Sequence, residues 1–171
     1  MKYSHALKFV LSSAAVGILA LGLTCTSASA TTVSATFAVS ATVNASCNIT
    51  TAPLAFGAYT GAVLNNSTNL TVTCNTAVTP INVGLNTGLN GTYTAGTVYT
   101  RKMNSGAVML NYGLYQNAGL TTNWGTTTGT DTLATAYTTT AVTVPVYGTI
   151  PAGQVVATGS YADTITASIY F

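Results

Sequence analysis

From Val33 to Val43 the chain alternates without interruption. Val33, Ala35, Phe37, Val39, Ala41 and Val43 are apolar, while Ser34, Thr36, Ala38, Ser40 and Thr42 between them are polar or small. Side chains on a strand point to opposite faces in turn, so this spacing puts six apolar groups on one face that needs a core to enter. No glycine, proline or turn dipeptide follows. The segment runs through Asn44-Ala45-Ser46 straight into Cys47. A strand that cannot fold back locally is expected to complete a core elsewhere, another molecule included.

Residues 1–30 read as a cleaved secretory signal and stay outside the fold argument. Lys2 and Lys8 give the positive start, Phe9 to Leu23 an apolar run short for a bilayer span, and Ala28-Ser29-Ala30 a small-residue cleavage site. A lipoprotein site at Cys25 fits less well, because Gly22-Leu23-Thr24 lacks the usual residues before the thiol. Cleavage after Ala30 removes Lys2, His5, Lys8 and Cys25 and leaves 171 − 30 = 141 residues. That length suits one domain. Its only charged side chains are Arg101, Lys102, Asp131 and Asp163, a formally neutral set that argues against nucleic acid or anionic lipid as a partner. Plentiful Thr, Val and Tyr suit half-buried pleated surfaces rather than disorder.

Cys47 and Cys74 remain in an exported chain, an even count that favours a disulfide. The rival reading, a pair of metal ligands, lacks the His or carboxylate cluster that would complete a site. Beyond Ser46, short apolar-alternating runs are separated by turn residues. Such runs start at Cys47 and Ile49, and recur at Phe56–Tyr59, Leu70–Cys74, Ile81–Leu85, Leu110–Leu114, Val142–Val146 and Ile165–Phe171. Asn86–Thr97 reads as a loop or irregular hairpin, and Trp124–Thr132 as a connection. Pro145 assigns its strand to an edge or a bulge. With no amphipathic helix, no repeat and no second domain, the pattern predicts an all-β antiparallel sandwich.

The parts for catalysis are missing. The mature chain has no His or Glu, and its two carboxylates, Asp131 and Asp163, read as turn or backbone-capping groups. Without a His no serine is activated, and no glycine-rich turn precedes a helix to cradle phosphate. The expectation is a non-enzyme with no cofactor, no metal and no small-molecule substrate. Scattered tyrosines leave a sugar-binding face open as a third reading, though core and cross-strand packing account for them more simply.

Several short pieces, in order along the chain, resemble the spore coat protein U family, whose members include the Csu-type archaic chaperone–usher pilins of Gram-negative bacteria. They are Cys47 with Ile49, Phe56-Gly57-Ala58-Tyr59, Leu70 to Cys74, Arg101-Lys102-Met103, Leu110 to Tyr115 and Trp124-Gly125. The strongest are Val146 to Gln154 and Gly159 to Ile165. Gln116-Asn117 and Thr126 depart mildly, since the family often has acidic residues there.

The resemblance implies an incomplete immunoglobulin-like sandwich whose missing strand comes from a neighbour's N-terminal extension. On that basis residues 31–45 form the extension and 46–171 the pilin domain. Val33, Ala35, Phe37, Val39, Ala41 and Val43 are the donor positions. Ile165, Ala167, Ile169 and Phe171 are expected to line the groove and to bind a periplasmic chaperone. The implied partners are other copies or related pilin subunits in a head-to-tail polymer, that chaperone and an outer-membrane usher. The implied place is the surface of a Gram-negative cell, reached through the periplasm, in a pilus serving adhesion and biofilm formation. The alternative is a secreted coat-like or matrix protein that no usher assembles.

Overall fold

The computed structural model describes residues 31–94, 98–137 and 139–171, so the expected signal, residues 1–30, lies outside the described residues. The chain divides into two units, residues 1–41 and 42–171. Of the first, residues 31–41 are described, and every one is exposed and outside any strand. Phe37 is 87% exposed. The alternation over Val33–Val43 is therefore not realised as a strand in the isolated chain. A strand exists through ladder hydrogen bonds, and among the described residues no neighbour supplies them.

In the second unit the described residues form nine strands and no helix. They are β1 (Cys47–Thr51), β2 (Leu64–Cys74), β3 (Val78–Leu85), β4 (Thr92–Thr94), β5 (Val98–Ser105), β6 (Val108–Tyr115), β7 (Leu133–Tyr137), β8 (Val142–Ile150) and β9 (Ala167–Tyr170). Every pairing is antiparallel. One sheet has the order β1-β2-β8-β6-β5-β4 and the other β7-β3-β9. Strand-period alternation decides which side chains meet between them. Leu70 and Val72 of β2, Leu110 and Leu114 of β6, and Val144 and Val146 of β8 face Ile81, Val83 and Leu85 of β3 in a single buried cluster. Each such side chain contributes about 1.5–3 kcal/mol by leaving water.

Trp124 is fully buried within this cluster. Its indole N–H donates to the Val83 carbonyl at 2.8 Å, and its backbone N–H to the Leu114 carbonyl at 3.0 Å, so it ties the two sheets together. Arg101 of β5 is fully buried beside it, donating to the carbonyls of Asn86 (2.9 Å), Leu85 (3.0 Å) and Trp124 (2.6 Å). A buried cation is tolerated because several charge-assisted hydrogen bonds replace its water. The formal surface charge read from the sequence thus loses one of its cations to the core.

Three strand assignments differ from expectation. Residues 52–63 form no strand although Phe56–Tyr59 carries apolar residues, and β2 begins at Leu64, well before Leu70. Pro145 lies in β8, an interior strand, rather than on an edge. The pairing explains this: β8 meets β2 along its whole length, from Val142 opposite Val72 to Ile150 opposite Leu64, but meets β6 only from Tyr147 to Thr149. Around Pro145 one flank of β8 has no ladder, and the missing N–H costs nothing there.

Candidate functional site

Cys47 stands directly opposite Cys74 in the β1–β2 register, and the two are joined by a disulfide. The bridge fixes β1 to the sheet edge. Just before it, the Asn75 side chain accepts from Ser46 N–H at 2.8 Å and donates to the Asn44 carbonyl at 2.9 Å. The domain is therefore tied down from Asn44 onward.

β1 and β9 are edge strands of different sheets, and they approach one another without pairing. Beyond that approach two segments run on with an opening between them. One is residues 52–59, which follow β1; the other is residues 156–166, which lead into β9. The second lies outside any named strand, with an isolated bridge at Ala162, yet its burial alternates as a strand's does: Tyr161, Asp163 and Ile165 turn inward, as does Ala167 at the start of β9, and Ala162, Thr164 and Thr166 turn outward. One flank of it is held, by Asn104 and Ala162 exchanging backbone hydrogen bonds of 2.9 and 3.1 Å, and by Asn86, which donates to the Thr166 carbonyl at 3.1 Å. The flank facing residues 52–59 carries no ladder among the described residues.

Two cavities follow this opening. The first, about 500 Å³, has Leu70, Tyr112 and Val146 at its floor, with Leu54 on one wall and Ile165 and Ala167 on the other. The second, about 620 Å³, lies over Leu110 and Ile150 between Tyr59 and Val156. Both share Leu54, Phe56, Met103 and Tyr161, so they make one groove. Its far end is closed by Tyr59, whose hydroxyl donates to the Pro151 carbonyl at 2.8 Å and accepts from Gln154 N–H at 3.0 Å. The Gly153 N–H adds a bond to the Gly61 carbonyl at 2.9 Å. Such a trough, floored by core side chains and flanked by an unladdered backbone, is shaped for an extended strand with alternating apolar side chains.

One polar cluster touches the groove. Tyr112 of β6 donates its hydroxyl to Asp163 at 2.7 Å, and the other Asp163 oxygen accepts the N–H groups of Leu89 and Thr164, each at 2.8 Å. Burial, reinforced by the hydrogen bond to Asp163 and the charge of that carboxylate, pushes the Tyr112 phenol well above its ordinary value, against a smaller opposing pull from Arg101. Asp131 accepts from Thr127 N–H at 2.6 Å in a turn. Both carboxylates thus cap backbone, as their sequence contexts imply. Among the described residues there is no group of three or more His, Cys, Asp or Glu placed to hold a metal.

Of the C-terminal positions, Ile165 and Ala167 line the groove. Ile169 is half-buried against the core, opposite Val83, and Phe171, past the end of β9, is 60% exposed. Val33, Ala35, Phe37, Val39, Ala41 and Val43 are all exposed. Leu54, Phe56, Tyr59, Met103 and Tyr161 were not singled out as site residues by the sequence. The apolar Leu54 and Phe56, two positions apart after Pro53, are the signal that was there to find.

The Spore Coat Protein U domain family matches residues 33–168 of this chain. A similar solved chain belongs to the crystal structure of the CsuC–CsuE chaperone–tip adhesion subunit pre-assembly complex, from archaic chaperone-usher Csu pili of Acinetobacter baumannii. The two share 27% identity and a TM-score of 0.55 over 76% of this chain, which spans 40% of the length of that one. No curated protein matches the chain.

Proposed function

The chain belongs to the Spore Coat Protein U domain family, and on that premise we propose that it is a structural pilin subunit, polymerised by donor-strand complementation into a surface pilus that supports adhesion and biofilm formation. The observation that carries this reading is a mismatch inside one molecule. The domain has an apolar groove with an unladdered wall, and the chain has an apolar alternating arm with no ladder of its own. Val33–Val43 and the wall 156–166 are of equal length. The arm of one subunit filling the groove of the next repairs both defects at once. Because that contact is head to tail, it does not close on itself and generates a filament.

The energetics suit a durable fibre. Burying Val33, Phe37, Val39 and Val43 contributes roughly 6–12 kcal/mol as an upper bound, at 1.5–3 for each side chain, and the ladder adds to it. Slow dissociation follows from association of that strength. In this reading residues 1–30 are the cleaved signal, 31–45 the donor extension and 46–171 the pilin domain. The partners are other copies or related pilin subunits, a periplasmic chaperone that caps the open edge near Ile165, Ala167, Ile169 and Phe171, and an outer-membrane usher. A pilus at the surface of a Gram-negative cell is the destination. In this reading the chain serves as a structural subunit rather than as an enzyme.

Gel migration of purified surface fibres with and without boiling tests the assembly. A ladder that collapses to one monomer band on boiling is the expected result. Monomer alone in both lanes would support instead a secreted coat or matrix protein with no usher.

A further inference from the structure

We propose that Asp163 is a positioning residue that holds the groove wall in strand-ready form before a donor strand arrives; this rests on the donor-strand reading above. Its placement is unusual for a charged side chain. It turns inward between Tyr161 and Ile165 and lines a cavity otherwise dominated by apolar groups. A leucine at that position would have extended the groove floor. Instead the carboxylate joins three separate segments. One oxygen takes the Leu89 N–H of the loop after β3 and the Thr164 N–H of the wall itself, and the other takes the Tyr112 hydroxyl of β6. Gly88 in that loop makes room: its φ is +78°, and a Cβ there would land on the Asp163 carboxylate.

The wall needs such an anchor because half of its ladder is missing. Fixing a residue's backbone costs about 1–2 kcal/mol in entropy. Segment 161–166 meets that cost with hydrogen bonds on one flank only, through Asn104 and Asn86. If the wall were left to fray, each incoming strand would have to order it, and capture would slow by the fraction of time the wall is out of place. Asp163 moves that ordering into the folding of the domain. Once a donor is seated, its own ladder holds the wall, so the anchor matters for arrival far more than for departure.

The test uses the mature chain carrying Phe37→Asp, which disables its own arm, as acceptor for a labelled peptide of residues Thr31–Ser46. Adding Asp163→Ala should slow peptide capture roughly tenfold, the loss expected for hydrogen bonds to a charged group, with little change in the rate of release. Asp163→Asn should restore most of the capture rate, because its carbonyl still accepts both N–H groups and its amide donates to Tyr112. Ile81→Val, buried away from the groove, is the control: it should ease unfolding and leave capture unchanged. The proposal is overturned if Asp163→Ala captures at the parent rate, or slows capture and speeds release alike. Should Asp163→Ala fail to fold, Tyr112→Phe decides, since it removes one bond of the anchor and keeps the ring; unchanged capture then refutes the role. If the parent acceptor with Asp163 intact takes up no peptide, the donor-strand reading fails, and the role of Asp163 with it.

Discussion

The two ends of the described chain carry the same sequence pattern and meet different fates. At one end Val33–Val43 alternates apolar and polar, and every residue is exposed without a strand. At the other, Ile165–Phe171 alternates in the same way, and Ala167–Tyr170 forms β9 against β3, with Ala167 opposite Leu85 and Ile169 opposite Val83. Alternation therefore states a demand for a core on one side and for hydrogen bonds along the edges. Whether it becomes a strand depends on a partner. Among the described residues the C-terminal run has one partner and lacks a second, and the N-terminal run has none. In the proposed donor-strand exchange these two deficits would cancel.

The sharpest way to break this comparison is to spoil the arm and leave the edge intact. On the donor-strand proposal Phe37→Asp places a carboxylate in an apolar groove, at a cost of several kcal/mol without a partner. Since Phe37 is 87% exposed in the single chain, the variant should fold, form its disulfide and accumulate with its chaperone, while surface polymer is lost. Periplasmic complex and surface fibre should be measured in the same cells. Normal fibres would show that Phe37 fills no neighbour's groove, and a subunit degraded despite abundant chaperone would show that it serves its own domain.

The converse change spoils the edge and leaves the arm. Ile169→Ser together with Phe171→Ser should abolish recovery of the chaperone–subunit complex from periplasm, because the row beside the open edge of β9 then loses two apolar side chains that a capping strand would cover. Co-purification at the unaltered level would remove this end of the chain from the binding site. A smaller effect is expected from Cys47→Ser, which opens the loop closed between β1 and β2. The bridge is worth roughly 3–4 kcal/mol in the chain-entropy account. Denaturant unfolding of the subunit should register that loss, and fibres that do assemble should be held by an unaltered arm.

The sandwich was legible because most of its strands alternate over a buried face, and because the paired cysteines fell on neighbouring strands, Cys47 opposite Cys74. Val33–Val43 carries the same alternation, and there it meets no buried face in the single chain. The groove was only half legible. Ile165 and Ala167 announce themselves by alternation, but Leu54, Phe56 and Tyr59 sit in a stretch with no strand, and only three-dimensional closure places them opposite residues 156–161. Arg101 was hidden for a different reason: an arginine in sequence reads as surface, and what buries it is a set of carbonyls, from Leu85, Asn86 and Trp124, that no residue identity encodes. Pro145 misled because its strand is interior in the sheet and open at the one flank where proline sits. Local pattern identifies what a segment needs, and the partner that meets the need is a property of the fold.

The smallest predicted effect concerns the point where the arm leaves the domain. Asn75 holds Ser46 and Asn44 by side-chain bonds of 2.8 and 2.9 Å, and its own N–H donates to the Ser46 carbonyl at 2.9 Å. These bonds are solvent-exposed, so Asn75→Ala should cost the domain only about 1 kcal/mol and leave polymer yield nearly normal. What should move is the boundary. A broad-specificity protease acting on unassembled subunit should trim the arm back to the region of Asn44 in the parent chain, where backbone becomes tied down, and toward Cys47 in the variant. In assembled fibres the arm should resist in both, since on the proposed reading it lies in a neighbour's groove there. Trimming that stops at the same residue in both chains would mean that the disulfide at Cys47, and not the Asn75 clamp, sets the end of the arm. Arm resistance in unassembled subunit equal to that in fibres would remove the contrast between the two ends altogether, since the arm would then have a partner within its own chain.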